Sequence, residues 1–177
     1  MAFTKMIFKT EQGNFPPNFK VYFDKAGDGD LNTAFKEQEV VTNNLFNSIN
    51  ESISQTVYAP GKWTLKEVLQ HLIDAERVFN YRALAFARND IQTLPPFNED
   101  NYAKNSEANG RTWDDLVAEF KVIRKSTEFL YNSFSDEALK RVGNASSHSV
   151  GVNMLGFVTI GHVAHHLNII KERYLKQ

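Results

Sequence analysis

Four stretches of this chain carry apolar side chains at helical spacing, and none sustains the alternation that a strand requires. Leu31, Phe35, Val41, Leu45, Ile49 and Ile53 mark the first, and Leu65, Val68, Leu72, Ala75, Phe79 and Phe86 the second. Leu116, Phe120, Ile123, Phe129 and Leu130 mark the third, and the fourth runs from about Gly151 to Tyr174. A period near 3.6 residues lines such side chains along one face of a helix, whereas a half-buried strand needs a period of 2. Four apolar faces can leave water together only by packing on one another. The expected class is therefore all-α, and the expected architecture a four-helix bundle.

The helix boundaries are written in capping residues. Asp30 stands before the first helix, which is expected to run to about Ile53, and Thr64 with Glu67 forms a capping box before the second, ending near Arg88. Thr112, followed by Asp114 and Asp115, opens the third, which runs to about Ser133, and Ser135-Asp136-Glu137 begins a short helical turn. Pro95-Pro96 and Asn109-Gly110 bracket a long connection of the kind that is functional or holds short helices. Gly143 to His148 reads as loop. Before Asp30, Pro16-Pro17 and Gly27-Asp28-Gly29-Asp30 predict an irregular arm over residues 1–30 that breaks any helix and packs through Phe8, Phe15, Phe19, Tyr22 and Phe23. Asp28-Gly29-Asp30 lacks the other positions of a calcium loop. Residues 1–177 are expected to form one domain.

Composition removes several classes of function. A net charge of -1 with interspersed acids and bases gives no footprint for nucleic acid. No apolar run approaches a membrane span, no basic amphipathic segment suggests a membrane surface, and the amino terminus lacks the features of a signal peptide. The absence of cysteine excludes disulfides, thiolate ligands and a cysteine nucleophile. A cytoplasmic protein acting on a small molecule is the expectation.

The fourth helix carries Gly161-His162-Val163-Ala164-His165-His166. His162 and His166 are spaced i, i+4 and share a stripe with Leu155, Val158, Ile169 and Arg173, on the apolar side. Two buried imidazoles need a partner for each polar nitrogen, at a cost of about 1–3 kcal/mol for each one unsatisfied. A metal ion takes one nitrogen from each ring, and His71 on the second helix, at the flank of its apolar stripe, can supply a third. His165 offers an alternative i, i+3 pair with His162, and otherwise backs the site or lies at an interface. Asp74 is a candidate carboxylate ligand or acceptor for an imidazole N–H, and Asp74 and His165 are the candidate proton handlers. His148 reads as a loop residue. A buried hydrogen-bond network without metal remains the plainest competitor.

Two metal grammars fail. A zincin needs Glu directly after its first His, where Val163 stands. A di-iron bundle needs Glu three residues before its histidines, where Val68, Thr159 and Val163 stand. Neither a P-loop nor a Gly-x-Ser-x-Gly elbow is present.

Trp63-Thr64-Leu65-Lys66-Glu67-Val68-Leu69-Gln70-His71-Leu72-Ile73-Asp74-Ala75-Glu76, together with the histidine string of the fourth helix, resembles the DinB/YfiT-like superfamily, and the likeness extends from about Asp30 onward. The resemblance implies up-down-down-up winding, a frequent homodimer, and a divalent ion such as nickel or zinc held by His71, His162 and His166. It also implies hydrolysis or thiol S-transfer as the activity, the latter with a low-molecular-weight thiol as cosubstrate. A three-nitrogen site leaves positions open for water or for such a thiol, which the cysteine-free chain would have to receive from outside. The competing reading from another class is a dimeric, non-catalytic bundle that binds a small molecule and whose metal is structural or adventitious. Pro95, Phe97, Tyr102 and the loop before the fourth helix are the expected pocket walls.

Overall fold

Three of the four long helices begin where a side chain stands ready to cap them. The computed structural model describes residues 5–11, 13–14 and 16–176. In chain order the helices are α1 (Pro17–Lys25), α2 (Leu31–Asn47), α3 (Glu51–Ser54), α4 (Leu65–Ala87), α5 (Glu99–Asn105), α6 (Trp113–Ser133), α7 (Asp136–Leu139) and α8 (Val152–Ile169). A hairpin of β1 (Val142–Ala145) and β2 (His148–Gly151) precedes α8, and a π-helical turn over Ile170–Leu175 extends it. Asp30 accepts the Thr33 N–H, Thr112 accepts the Asp115 N–H, and Thr64 and Glu67 form the reciprocal capping box. Ser135 caps α7 in the same way.

Contacts between helices fix the winding. Asn32 meets Asn132, and Phe46 meets Trp113, so α2 and α6 run antiparallel. The α4 sequence from Thr64 to Asn80 pairs in order with Asn109 to Thr127, so α4 and α6 run parallel. Trp63 bonds Tyr174 while Phe79 meets His162, which sets α8 antiparallel to α4. The result is up-down-down-up. The long connection through α5 makes this possible, because a short loop would return α6 antiparallel to α4.

The apolar core falls into two clusters with a polar layer between them. One cluster gathers Ala75 to Ala87 of α4 with Met154 to Ile160 of α8, and the other gathers Leu65 to Ile73 with Val163 to Ile170. At the division, Arg124 bonds Gln38 and Glu76, each at 2.9 Å. Gln38 in turn donates to the Ile160 carbonyl at 2.8 Å, and Thr127 donates to Glu76. Glu76 and Arg124 are almost wholly buried, so each requires the other: an unpaired buried charge costs about 3–5 kcal/mol. Burial pushes the Glu76 carboxyl up, against the pull of Arg124. His71 and His162 occupy the same level of the bundle.

The structure corrects the expected arm. Residues 17–25 are helical, because Pro17 occupies the first helical position, where its missing N–H costs nothing and its fixed φ favours the helix. Phe19 and Phe23 are buried and Tyr22 is half-buried, as an arm that packs would require, but Phe8 is exposed and Phe15 lies outside the described residues. Asp30 also accepts the Ile7 N–H at 2.7 Å, tying the strand-like start of the chain to α2. The first long helix ends at Asn47 rather than near Ile53, because the Asn50 side chain caps the separate turn α3. Val41 and Phe129, expected in the core, face solvent. The segment expected to be loop forms the hairpin, with Val142 opposite Gly151 and Ala145 opposite His148. Gly143 permits this, since a Cβ there would stand 2.0 Å from the Phe86 ring.

Helix α8 is buried on all sides from Val152 to Val163, not along one stripe. The charge-free run from Val152 to Ile170 is what a helix covered all round demands. Helix α1 supplies part of the cover and approaches closely at Gly161, where a Cβ would stand 1.6 Å from the Tyr22 carbonyl oxygen. Gly161→Ala is therefore expected to destabilise the fold by about 1–3 kcal/mol, as overpacking does. At this chain length that lowers the melting temperature by roughly 2–12 °C. Calorimetry checks it, and an unchanged melting point would mean that α1 does not seat against α8.

Candidate metal centre

Antiparallel packing of α4 on α8 brings His71 level with the i, i+4 pair. One ring nitrogen from each of His71, His162 and His166 lies within 4.8 Å of the others. The Nε2 atoms of His71 and His162 are 3.0 Å apart, and the ring centroids are 4.9 Å (His71–His162), 4.9 Å (His71–His166) and 4.7 Å (His162–His166) apart. His71 and His162 are buried, and His166 is partly so. Trp63 and Phe79 cover the rings, and Tyr22 stands against both His162 and His165. Trp63 is itself held by the Tyr174 hydroxyl, which donates to its carbonyl at 2.6 Å.

Desolvation dominates the charge state of this cluster. It pushes His71 down to about 4, against the attraction of Asp100, and pushes His166 down to about 3 with help from His71 and His165. His162 is held well below the ordinary imidazole range by burial, by the other three histidines and by Arg124. All three rings are neutral at pH 7, the form that binds a metal. Nitrogens at ~2.1 Å around one ion stand roughly 3.0–3.5 Å apart. The 3.0 Å contact already meets that spacing, and the His166 nitrogen lies within 4.8 Å of the other two. The donor set, three imidazole nitrogens, fits a divalent transition-metal ion.

A cavity of about 430 Å³ opens on one side of the cluster, lined by His71, His162, Tyr22, Phe97, Glu99 and Arg82 among others. A smaller one of about 230 Å³ reaches His166, Trp63 and Asp100 from the other side. Residues at the start of α5 thus border both. Partial desolvation, reinforced by the charge on Asp100, raises the Glu99 carboxyl above its usual range.

The remaining expected residues are distributed unevenly. His165 lies beside the cluster, its ring 5.2 Å from His166, and burial lowers its pKa. Asp74 is held by side chains of its own helix, accepting from Gln70 at 2.9 Å and pairing with Arg77 at 3.5 Å, and it lines neither cavity. Phe97 and the segment Ser146-Ser147-His148 line the larger cavity as expected, with His148 now the first residue of β2. Pro95 instead gives its carbonyl to Arg82, and Tyr102 packs its ring on Phe97. Tyr22, Trp63, Arg82, Glu99 and Asp100 were not anticipated. Only Trp63 carried a local signal, since it adjoins the capping box.

No curated protein matches the sequence significantly. The fold resembles that of YfiT from Bacillus subtilis, described as a probable metal-dependent hydrolase with an unusual four-helix bundle topology. The TM-score is 0.64 at 16% identity, covering 96% of this chain and 93% of that one, which establishes likeness of fold. Among the described residues no helix is long and apolar enough to cross a membrane. The profile of the DinB superfamily matches residues 34–170, taking in α2 to α8 and all three clustered histidines, and the chain belongs to that superfamily.

Proposed function

We propose that this protein is a metal-dependent enzyme acting on a small molecule, with His71, His162 and His166 holding a divalent ion, zinc or nickel. The observation that carries the reading is the convergence of three neutral, largely buried imidazoles at the wall of an open cavity. A closed structural site would use all its positions on protein atoms, whereas three nitrogens leave room for water or substrate. The description of YfiT as a probable metal-dependent hydrolase agrees with this reading.

When bound, the ion supplies Lewis acidity and lowers the pKa of water, or of an external thiol, at its open position. The chain supplies the rest. Trp63, Phe79 and Tyr22 exclude water around the rings and hold them in place. His165, outside the ligand set and only partly buried, is placed to pass protons between the site and solvent. Hydrolysis and thiol S-transfer use this same arrangement and differ in the attacking group. With no cysteine in the chain, a thiol would have to come from a small cosubstrate.

Elemental analysis of protein purified without a histidine tag tests the proposal. About one equivalent of a transition metal per chain is expected, and metal-free protein that cannot be loaded would refute it. Assays of ester hydrolysis and of thiol addition to electrophiles then separate the two reactions.

A further inference from the structure

Among the described residues Arg82 is a buried cation without a counter-charge, and it lines the same cavity as His71 and His162. His71, Ala75, Phe79 and Arg82 all line that cavity from one face of α4, so Arg82 sits three turns from His71, about 16 Å along the helix axis. It is only 6% exposed. One guanidinium nitrogen donates to the Pro95 carbonyl at 3.0 Å, and among the described residues no carboxylate lies within ion-pair distance. Arg124, the comparably buried arginine of the polar layer, is answered by Glu76. A guanidinium has five donors and cannot shed its charge, so leaving it desolvated and unpaired is costly unless a ligand supplies the anion.

The surroundings of Arg82 suit that role. Leu94, next to Pro95, bonds Asn144 and Ser146, which brings the hairpin turn alongside. Ser146 and Ser147 line the cavity there, and among the described residues their hydroxyls make no hydrogen bond. The acids lie at the other end, where Glu99 acts on Tyr22 and Asp100 on His71. The cavity thus has a cationic end and a histidine end, joined by the apolar wall of Phe19, Phe79 and Phe97. Its volume of about 430 Å³ falls within the range of small-ligand sites.

We infer that the substrate or cosubstrate of this site is an elongated molecule with an anionic tail, a carboxylate or phosphate, which Arg82 and the Ser146-Ser147 turn bind while its reacting group lies at the histidines. The inference rests on the proposed function for the reacting end only. An Arg–carboxylate pair made out of water can be bidentate and strongly directional.

Calorimetric titration with three probes tests it: 6-phenylhexanoate, its neutral amide, and 5-phenylpentyl phosphate. Each is measured on the protein as purified and after chelation, so that coordination of an anion by metal is separated from capture by Arg82. Wild-type protein is expected to bind the acid at least about 10-fold more tightly than the amide in both states, as a desolvated charge pair requires. R82Q should bring that ratio close to one, and R82K should retain part of it. The phosphate arm identifies which anion the subsite prefers. Equal binding of acid and amide by the wild type, which needs no variant to fold, would overturn the inference, as would an R82Q protein that keeps the preference. A protein that cannot be loaded with metal yet shows the acid preference would sink the metal reading alone, and a metal-loaded protein without the preference would sink this one alone.

Discussion

His162→Ala is expected to abolish stoichiometric metal binding, while His165→Ala leaves it intact. His162 is as deeply buried as His71 and touches both other rings, with its Nε2 atom 3.0 Å from that of His71. Losing a group that merely orients a ligand costs roughly 10–100-fold in metal affinity, so losing the ligand itself should cost more than ~100-fold. The consequence is visible in stability. An ion present at 100 to 1,000 times its dissociation constant stabilises the native state by about 2.7–4.1 kcal/mol. For a chain of this length that amounts to a rise in melting temperature of roughly 5–16 °C. Wild-type and His165→Ala proteins should show this rise on adding zinc or nickel to chelated samples, and His162→Ala should not. Equal metal content in wild-type and His162→Ala protein would remove the centre from α8. Loss of metal from His165→Ala would instead favour the i, i+3 pair that the sequence left open.

The sequence made the helices legible because their signals are local. Asp30, Thr64, Thr112 and Ser135 each sit within four residues of the N–H they cap, and the apolar period of α4 and α6 repeats every turn. The i, i+4 spacing of His162 and His166 is local too. Features that failed to show depend on partners distant in the chain. Pro16-Pro17 reads as a breaker until α4 and α8 give Phe19 and Phe23 somewhere to bury, after which Pro17 becomes a helix start. The hairpin has four residues in each strand, too few for alternation to declare itself, and its position depends on Gly143 meeting Phe86. Arg82 looks like any helix-surface arginine until the chain around Pro95 closes over it. Asp74 shows the converse: its spacing from His71 put it near the site, but its bonds to Gln70 and Arg77 tie it to its own helix, and it lines neither cavity.

Acidification from pH 7 to pH 5.5 is expected to destabilise the metal-free protein by about 2.6 kcal/mol through His71 and His166, with His162 acting in the same direction. In the unfolded chain each imidazole returns to a pKa near 6.5. In the folded chain His71 titrates at about 4, His166 at about 3, and His162 well below its ordinary value. Between those limits the unfolded state binds protons that the folded state does not, so stability is complete above pH 6.5 and falls as the pH drops toward 4. One such histidine loses about 1.3 kcal/mol between pH 7 and 5.5, so His71 and His166 together lose about 2.6 kcal/mol. The buried carboxyl of Glu76 opposes this, because its raised pKa makes the folded state the better proton acceptor. A difference between proteins cancels that opposing contribution. Urea unfolding of chelated wild-type and His166→Ala protein at both pH values should show the acid-induced loss reduced by about 1.3 kcal/mol in the variant. Identical losses in the two proteins would mean that His166 is already protonated, or solvated, in the folded state. Protons and metal compete for the same ring nitrogens, but the folded rings take up protons only near pH 4 and below, so the loaded protein should hold its ion down to about that pH for as long as it stays folded.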